Sequence, residues 1–479
     1  MKANEISLKK FFTYTSSVYD IDGNFKGVNR KSFRAKTKAS TVAKSMFSSI
    51  MCGHGSINEI INVNKCQSTR LNTLYRKCEY VPKMHGLRDC IMDTDYRQIE
   101  AMNHSVVKKL KENKVFRNNK IDGLTVMAWD GVDLNETKKN IVGLPEKEYE
   151  EEIRKYIKYL FAMNVGPNAN ILVNAKMLVE SGKTVTKSGK ERAKTTGETK
   201  LFEDMWEETE KLTGRQIDVH VFDALYLNQS VMNLINKAEK NFVIRLKNEK
   251  LNIYKDAEGL FGKREADEKY EIVERITTKY IKYSCRAKKK DKVKKKRRLE
   301  KRKLSEVKLG ERRVIKTSSQ QKKNSTVKII ESEKVIIRKE VWHDEFEIAG
   351  YKGKVRVIKS RERSIKNGKE TIQKIYVVTN MLGHNIETIL KIMHLRWNIE
   401  NCGFRALKQR YNLEHIFIGE MNSINYIVQM IILAFNLFEL YTKIRLKERI
   451  IETWKIITRI VEQQYQNDKD LYLHFNNSS

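Results

Sequence analysis

Three acidic residues stand where chemistry is most easily built. Asp130 closes residues 124–130 (Leu-Thr-Val-Met-Ala-Trp-Asp), Asp223 closes residues 217–223 (Ile-Asp-Val-His-Val-Phe-Asp), and Glu400 lies inside a helical stretch, residues 386–410. An acid at the end of an apolar run must meet a hydrogen-bonding partner, solvent or a cation, because burying it alone is costly. Hard divalent cations prefer carboxylate oxygens. Two of them about 3.5–4 Å apart are the strongest aid to moving a phosphoryl group between oxygens near neutral pH. The plainer readings are that strand-end acids arise by chance among 60 Asp and Glu, and that Arg396 and Glu400 form an ordinary i,i+4 ion pair on a helix surface.

The elements that must position these acids follow from periodicity. In the first run Asp130 shares a face with Val126 and Ala128, and in the second Asp223 shares one with Val219 and Val221. Residues 159–165 and 242–246 give further strands, and residues 229–240 read as a helix. Strands, then strand, helix, strand predict an α/β fold built on a mixed sheet. Residues 375–380 return to that sheet. Residues 386–410 predict one long helix burying Ile389, Ile392, Leu395, Ile399 and Leu407.

The flanks read as helical. Val42, Met46 and Ile50, then Ile57, Ile60 and Ile61, lie at helical spacing on either side of Gly53 and Gly55. A helix-turn-helix that reads DNA and a plain helical bundle both fit. Residues 424–441 are apolar but are interrupted by Asn425, Gln429, Asn436 and Glu439, which predicts a buried core helix and no membrane span. The spacing of residues 448–464 predicts an amphipathic helix that would suit a dimer surface.

Charge narrows the partner. Lys and Arg number 94 against 60 acids, a formal +34, and a field of that sign draws polyanions, nucleic acid first among them. In residues 286–303, 13 of 18 are Lys or Arg, among them Lys288, Lys289, Lys290, Lys294, Lys295, Lys296, Arg297 and Arg298. So basic a block is a DNA-binding arm or a solvated face. Six cysteines without a C-x-x-C pair suit a reduced, intracellular protein and no zinc site. There is no P-loop glycine pattern, and the first residues have too short an apolar stretch for a signal peptide.

The text around Glu400 carries a resemblance. Residues 394–408, with His394, Arg396, Trp397, Ile399, Glu400, Gly403, Phe404, Arg405, Leu407 and Lys408, resemble the last catalytic block of the DDE transposases of bacterial insertion sequences. In the branch with an inserted β-rich domain that block reads Tyr, two residues, Arg, three residues, Glu, six residues, Lys. Arg396 and Glu400 keep the spacing. Trp129-Asp130-Gly131 resembles the first block, and residues 222–226, with Asp223, the second. Two positions depart: Met393 stands at the tyrosine, and Lys408 comes eight residues after Glu400 instead of seven. One extra residue turns a side chain by about 100° on a regular helix, so a π-bulge near Gly403 is expected to restore Lys408, with Arg405 as the substitute cation.

The resemblance implies an RNase H-like core interrupted by a basic, β-rich insertion and flanked by helical regions. The implied domains are a helical DNA-binding domain (1–117), the core (118–247 and 375–440), the insertion (248–374) and a helical tail (441–479). Residues 223 and 400 lie 177 positions apart, far more than one strand and one helix need. Asp130, Asp223 and Glu400 would hold two Mg²⁺, or Mn²⁺ in its place. Arg396 with Lys408 or Arg405 would grip the phosphate, and Trp342 would stack on a base of the transposon end. The implied partners are double-stranded DNA, the terminal inverted repeats and a second copy of the chain, in a bacterial cytoplasm beside the nucleoid. A non-catalytic nucleic-acid-binding protein of the same fold and a metal-dependent nuclease without strand transfer remain alternatives.

Overall fold

The computed structural model describes residues 8–32, 38–66, 84–149, 152–185, 191–195, 197–283, 300–308, 325–366, 369–415 and 417–445. The lysines and arginines expected as a DNA-binding arm, Lys288 to Arg298, and the amphipathic stretch 448–464 lie outside these residues.

The chain begins in helices: α1 (Leu8–Tyr19), α2 (Ile21–Lys26), α3 (Ala39–Met51), α4 (Ile57–Cys66), α5 (Met84–Asp93), α6 (Arg97–Glu112) and α7 (Val115–Asn118). α3 ends where Gly53 takes a positive φ of 81°, the conformation that lets a chain leave a helix without a Cβ clash. Val42, Met46, Ile50 and Ile60 are buried on the inner faces of α3 and α4, as their spacing predicts.

The sheet that follows is mixed. β1 (Val126–Thr137) pairs antiparallel with β3 (Glu152–Val165), whose far side is covered by β2 (Glu146–Tyr149) and β4 (Ile171–Met177). A small hairpin, β5 (Gly182–Val185) and β6 (Glu191–Lys194), precedes α8 (Glu198–Thr213). β7 (Val219–Phe222) then returns parallel to β1. β8 (Asn241–Leu246), reached through α9 (Gln229–Lys237), runs parallel to β7. Asn228 starts α9 by accepting from the Val231 amide at 2.9 Å, which satisfies a first-turn N–H.

After α10 (Asn252–Phe261) the chain forms long antiparallel strands: β9 (Glu268–Tyr283), β10 (Glu300–Lys308), β11 (Ser325–Glu347), β12 (Lys354–Lys366) and β13 (Lys369–Thr379). These extend the same sheet, because β13 pairs antiparallel with β8. The chain then enters α11 (Ile386–Asn398), a π-helical segment (Ile399–Phe404) and α12 (Arg405–Tyr411). Ile389, Ile392, Ile399 and Leu407 are buried as expected, whereas Leu395 is only half-buried.

Two helices clamp the sheet and explain why β1 is apolar on both faces. Alternate residues of a strand point opposite ways. Trp129 packs edge-on against Phe202 of α8, with ring centroids 4.7 Å apart, and Asp130 points toward Arg396 of α11. The apolar helix α13 (Met421–Glu439) is long and apolar enough to cross a membrane by length and composition, but 94% of its apolar window is buried within the protein. Its polar interruptions serve the edge of the sheet. Asn436 accepts from the Leu172 amide at 2.9 Å and donates to the Leu172 carbonyl at 2.8 Å. Gln429 donates to the Ala175 carbonyl at 3.2 Å, and Asn425 accepts from the Tyr159 hydroxyl at 2.8 Å. A side chain thus pairs with β4 where a further strand would, which satisfies an edge that would otherwise present bare backbone groups.

Candidate active site

Strand register brings the two aspartates together. Val126 pairs with Val219, Met127 with His220 and Ala128 with Val221 on parallel neighbours. Two residues beyond the last pair lie the aspartates: Asp223 just follows β7, as expected, whereas Asp130 does not close its strand, because pairing with β3 carries β1 on to Thr137. Neighbouring strands lie about 4.8 Å apart, so the two carboxylates start from adjacent backbone positions. Asp223 accepts from the Leu225 amide at 2.9 Å and Asp130 from the Gly131 amide at 2.9 Å, which fixes one oxygen of each.

The third acid arrives from the helix. Arg396 donates through Nη1 to Asp130 Oδ2 at 3.1 Å and through Nη2 to Glu400 Oε1 at 2.7 Å, so one guanidinium joins the strand acid to the helix acid. The i,i+4 ion pair expected of Arg396 and Glu400 is therefore present, but it is not a surface pair: the arginine side chain is only 5% exposed. Asp130 is pushed up to about 7, first by burial, then by repulsion from Asp223, Glu400 and Glu198, with Arg396 pulling it down. That pattern of influences means that Asp130 feels all three other carboxylates.

Glu198 was not foreseen. It opens α8 behind Gly197, and it forms an ion pair with Lys158 at 2.5 Å and lies 3.5 Å from the Tyr226 hydroxyl. It fills the space beside Gly131, where any Cβ would collide with its carboxylate. In the sequence it reads as an acid in a helix's first turn, a placement the helix dipole favours anywhere, so nothing marked it out.

Behind β1 and β7 lies a second unforeseen set. The Trp129 indole donates to His220 Nδ1 at 3.0 Å, and His220 Nε2 lies 3.4 Å from Glu210 Oε1, with His220 and Glu210 fully buried. Burial pushes His220 below its ordinary value. Its Nδ1 accepts from Trp129, which leaves the proton on Nε2, facing Glu210. A histidine in the otherwise apolar alternation Val219-His220-Val221 was the available signal.

The remaining expected residues divide. The π-helical segment falls across Gly403, where the extra residue before Lys408 called for it. Lys408 Nζ reaches Glu414 at 2.7 Å and the Asp133 carbonyl at 3.3 Å, beside β1 and beyond Asp130. Arg405 is exposed. Trp342 does not fit base stacking: it is 8% exposed, its indole donates to the Arg264 carbonyl at 3.2 Å, and the Lys359 ammonium sits 5.1 Å from its ring centre. An aromatic near the end of a long strand, bonded to Arg264 and covered by Lys359, packs within the protein.

Among the described residues, no group of three or more His, Cys, Asp or Glu side chains is drawn close enough to enclose a metal ion as it stands. The chemistry of the donor set nevertheless suits one. Carboxylates from two strands and a helix repel one another around Asp130, and Arg396 bridges only two of them. No protein-family model matches the chain, and no curated protein does.

Proposed function

We propose that the chain is a DNA transposase whose RNase H-like core cuts and rejoins phosphodiester bonds at Asp130, Asp223 and Glu400. The observation that carries this reading is the meeting of Asp130 and Glu400 on one guanidinium, with Asp223 level with Asp130 on the next parallel strand. An antiparallel meander, β1, β3 and β4, joined by parallel β7 and β8, suits such a core. The formal +34 suits a DNA partner, bound through phosphates and weakened by salt.

The three acids would hold divalent cations, Mg²⁺ or Mn²⁺, which supply activation of the attacking oxygen and neutralise charge on the leaving one. The chain's own groups do the positioning. Leu225 N–H fixes one oxygen of Asp223, and Gly131 N–H fixes Oδ1 of Asp130, whose Oδ2 is taken up by Arg396. The planar fork of Arg396 matches a phosphate as well as it matches a carboxylate. The Trp129–His220 link ties β1 to β7 from behind and keeps the two strands in register. The long strands β9 to β12 and the basic residues 286–303 would contact the transposon end, and two copies would pair two ends.

A joining assay tests the reading. A labelled, precut duplex taken from the DNA flanking the gene is incubated with the protein, a target plasmid and Mg²⁺ or Mn²⁺. Covalent transfer of label to the plasmid is expected. Cleavage without joining would reduce the protein to a nuclease, and binding with neither reaction would make it a non-catalytic DNA-binding protein.

A further inference from the structure

We infer that Arg396 is a resident counter-cation, seated between Asp130 and Glu400 where a divalent ion would bind, and that metal loading displaces it. The inference rests on the metal-dependent reading above and adds a regulation to that site. Arg396 Nη1 lies 3.1 Å from Asp130 and Nη2 2.7 Å from Glu400, so the guanidinium takes up an oxygen of each carboxylate.

Two observations mark the seat as replaceable. Arg396 Nε is buried with no hydrogen-bond partner, and leaving a buried N–H unsatisfied is costly. The charge is also incomplete. Asp130, Asp223, Glu400 and Glu198 face Arg396 and Lys158, four formal negatives against two positives. A dication seated between Asp130 and Glu400 adds one more positive charge than the guanidinium, and Glu400, whose side chain is 46% exposed, gives it a way in from solvent. The displaced guanidinium then becomes free to take a phosphate, so ion loading and substrate grip are coupled through one side chain.

The test reads Mn²⁺ binding to the full-length protein, with no DNA present, from the electron paramagnetic resonance signal of the free ion. Wild type and Arg396→Gln are compared, and each is checked for its folded circular dichroism spectrum. Removing a positive charge a few ångströms from the ion is expected to tighten Mn²⁺ binding at least roughly fivefold and to enlarge the rise in thermal midpoint that Mn²⁺ produces. Wild-type binding with an Arg396→Gln affinity equal to it or weaker overturns the inference and leaves the metal site standing. Failure of both proteins to bind millimolar Mn²⁺ overturns the inference together with the metal site. If Arg396→Gln does not fold, Arg396→Lys, which keeps the charge but loses the fork, is expected to tighten binding by a smaller factor, and unchanged affinity there counts against displacement.

Discussion

Asp130 and Asp223 stand level on adjacent parallel strands, Asp130 within β1 and Asp223 just past the end of β7, two residues beyond the pairing of Ala128 with Val221. The parallel pairing of β1 with β7 ends just short of the two acids and brings them alongside each other. Carboxylates held this way repel each other and invite positive charge.

The first consequence is a pH dependence of stability. Asp130 has a folded value pushed up to about 7 from 3.8. Between those values the folded chain binds more protons than the unfolded one, so stability falls as pH rises from about 4 to about 7. At about 1.4 kcal/mol per pKa unit the loss from this group is at most about 4 kcal/mol. In chelator, urea unfolding at pH 5 and pH 8 should show about two pH units of it, about 3 kcal/mol, in wild type and a shallower loss in Asp130→Asn. Equal losses in the two proteins contradict the raised value.

A second consequence concerns the π-helical segment. Its one surplus residue corrects the phase between Glu400 and Lys408, so deleting Cys402 should leave a continuous α-helix with both side chains on their present sides. The deletion is expected to lower stability by no more than about 1–2 kcal/mol, read by thermal denaturation. An added alanine at the same place should cost several times more, and the reverse order would remove the phase argument.

Much of the site was legible because its residues break a pattern. Asp223 follows an apolar strand, Asp130 was expected to close one although β1 runs on through it to Thr137, and the eight-residue interval from Glu400 to Lys408 demanded a bulge that the π-helical segment supplies. Glu198 and Glu210 were not legible, because on α8 each looks like an ordinary helix acid until the register of the sheet beneath it is known. The surroundings of Trp342 were hidden for a related reason. Its type suits stacking, but burial is decided by Lys359 and Arg264, which are distant in sequence. The polar residues of α13 had the opposite fate. They were read as marks against a membrane span, and their bonds to Leu172 and Ala175 give them a structural use.

Trp129→Phe keeps the ring and removes the indole N–H, leaving His220 Nδ1 buried without its donor. A loss of about 1–3 kcal/mol is expected, measured by urea denaturation in chelator. No loss would mean that the Trp129–His220 link does not hold β1 against β7.

Asn436→Leu should also destabilise, although it makes α13 more apolar. The Leu172 N–H and C=O would both lose their partner, at about 2–4 kcal/mol together, and amide exchange at Leu172 should accelerate. A variant as stable as wild type would show that water or another group covers the edge of β4.

The central claim is that Asp130, Asp223 and Glu400 act on one phosphate. It is tested most directly by Mn²⁺-dependent strand cleavage of a duplex from the DNA flanking the gene, with Asp130→Asn, Asp223→Asn and Glu400→Gln compared with wild type. Each substitution is predicted to reduce cleavage by about a thousandfold or more while DNA affinity at fixed salt changes less than about threefold. Cleavage that survives any one of the three would contradict the account.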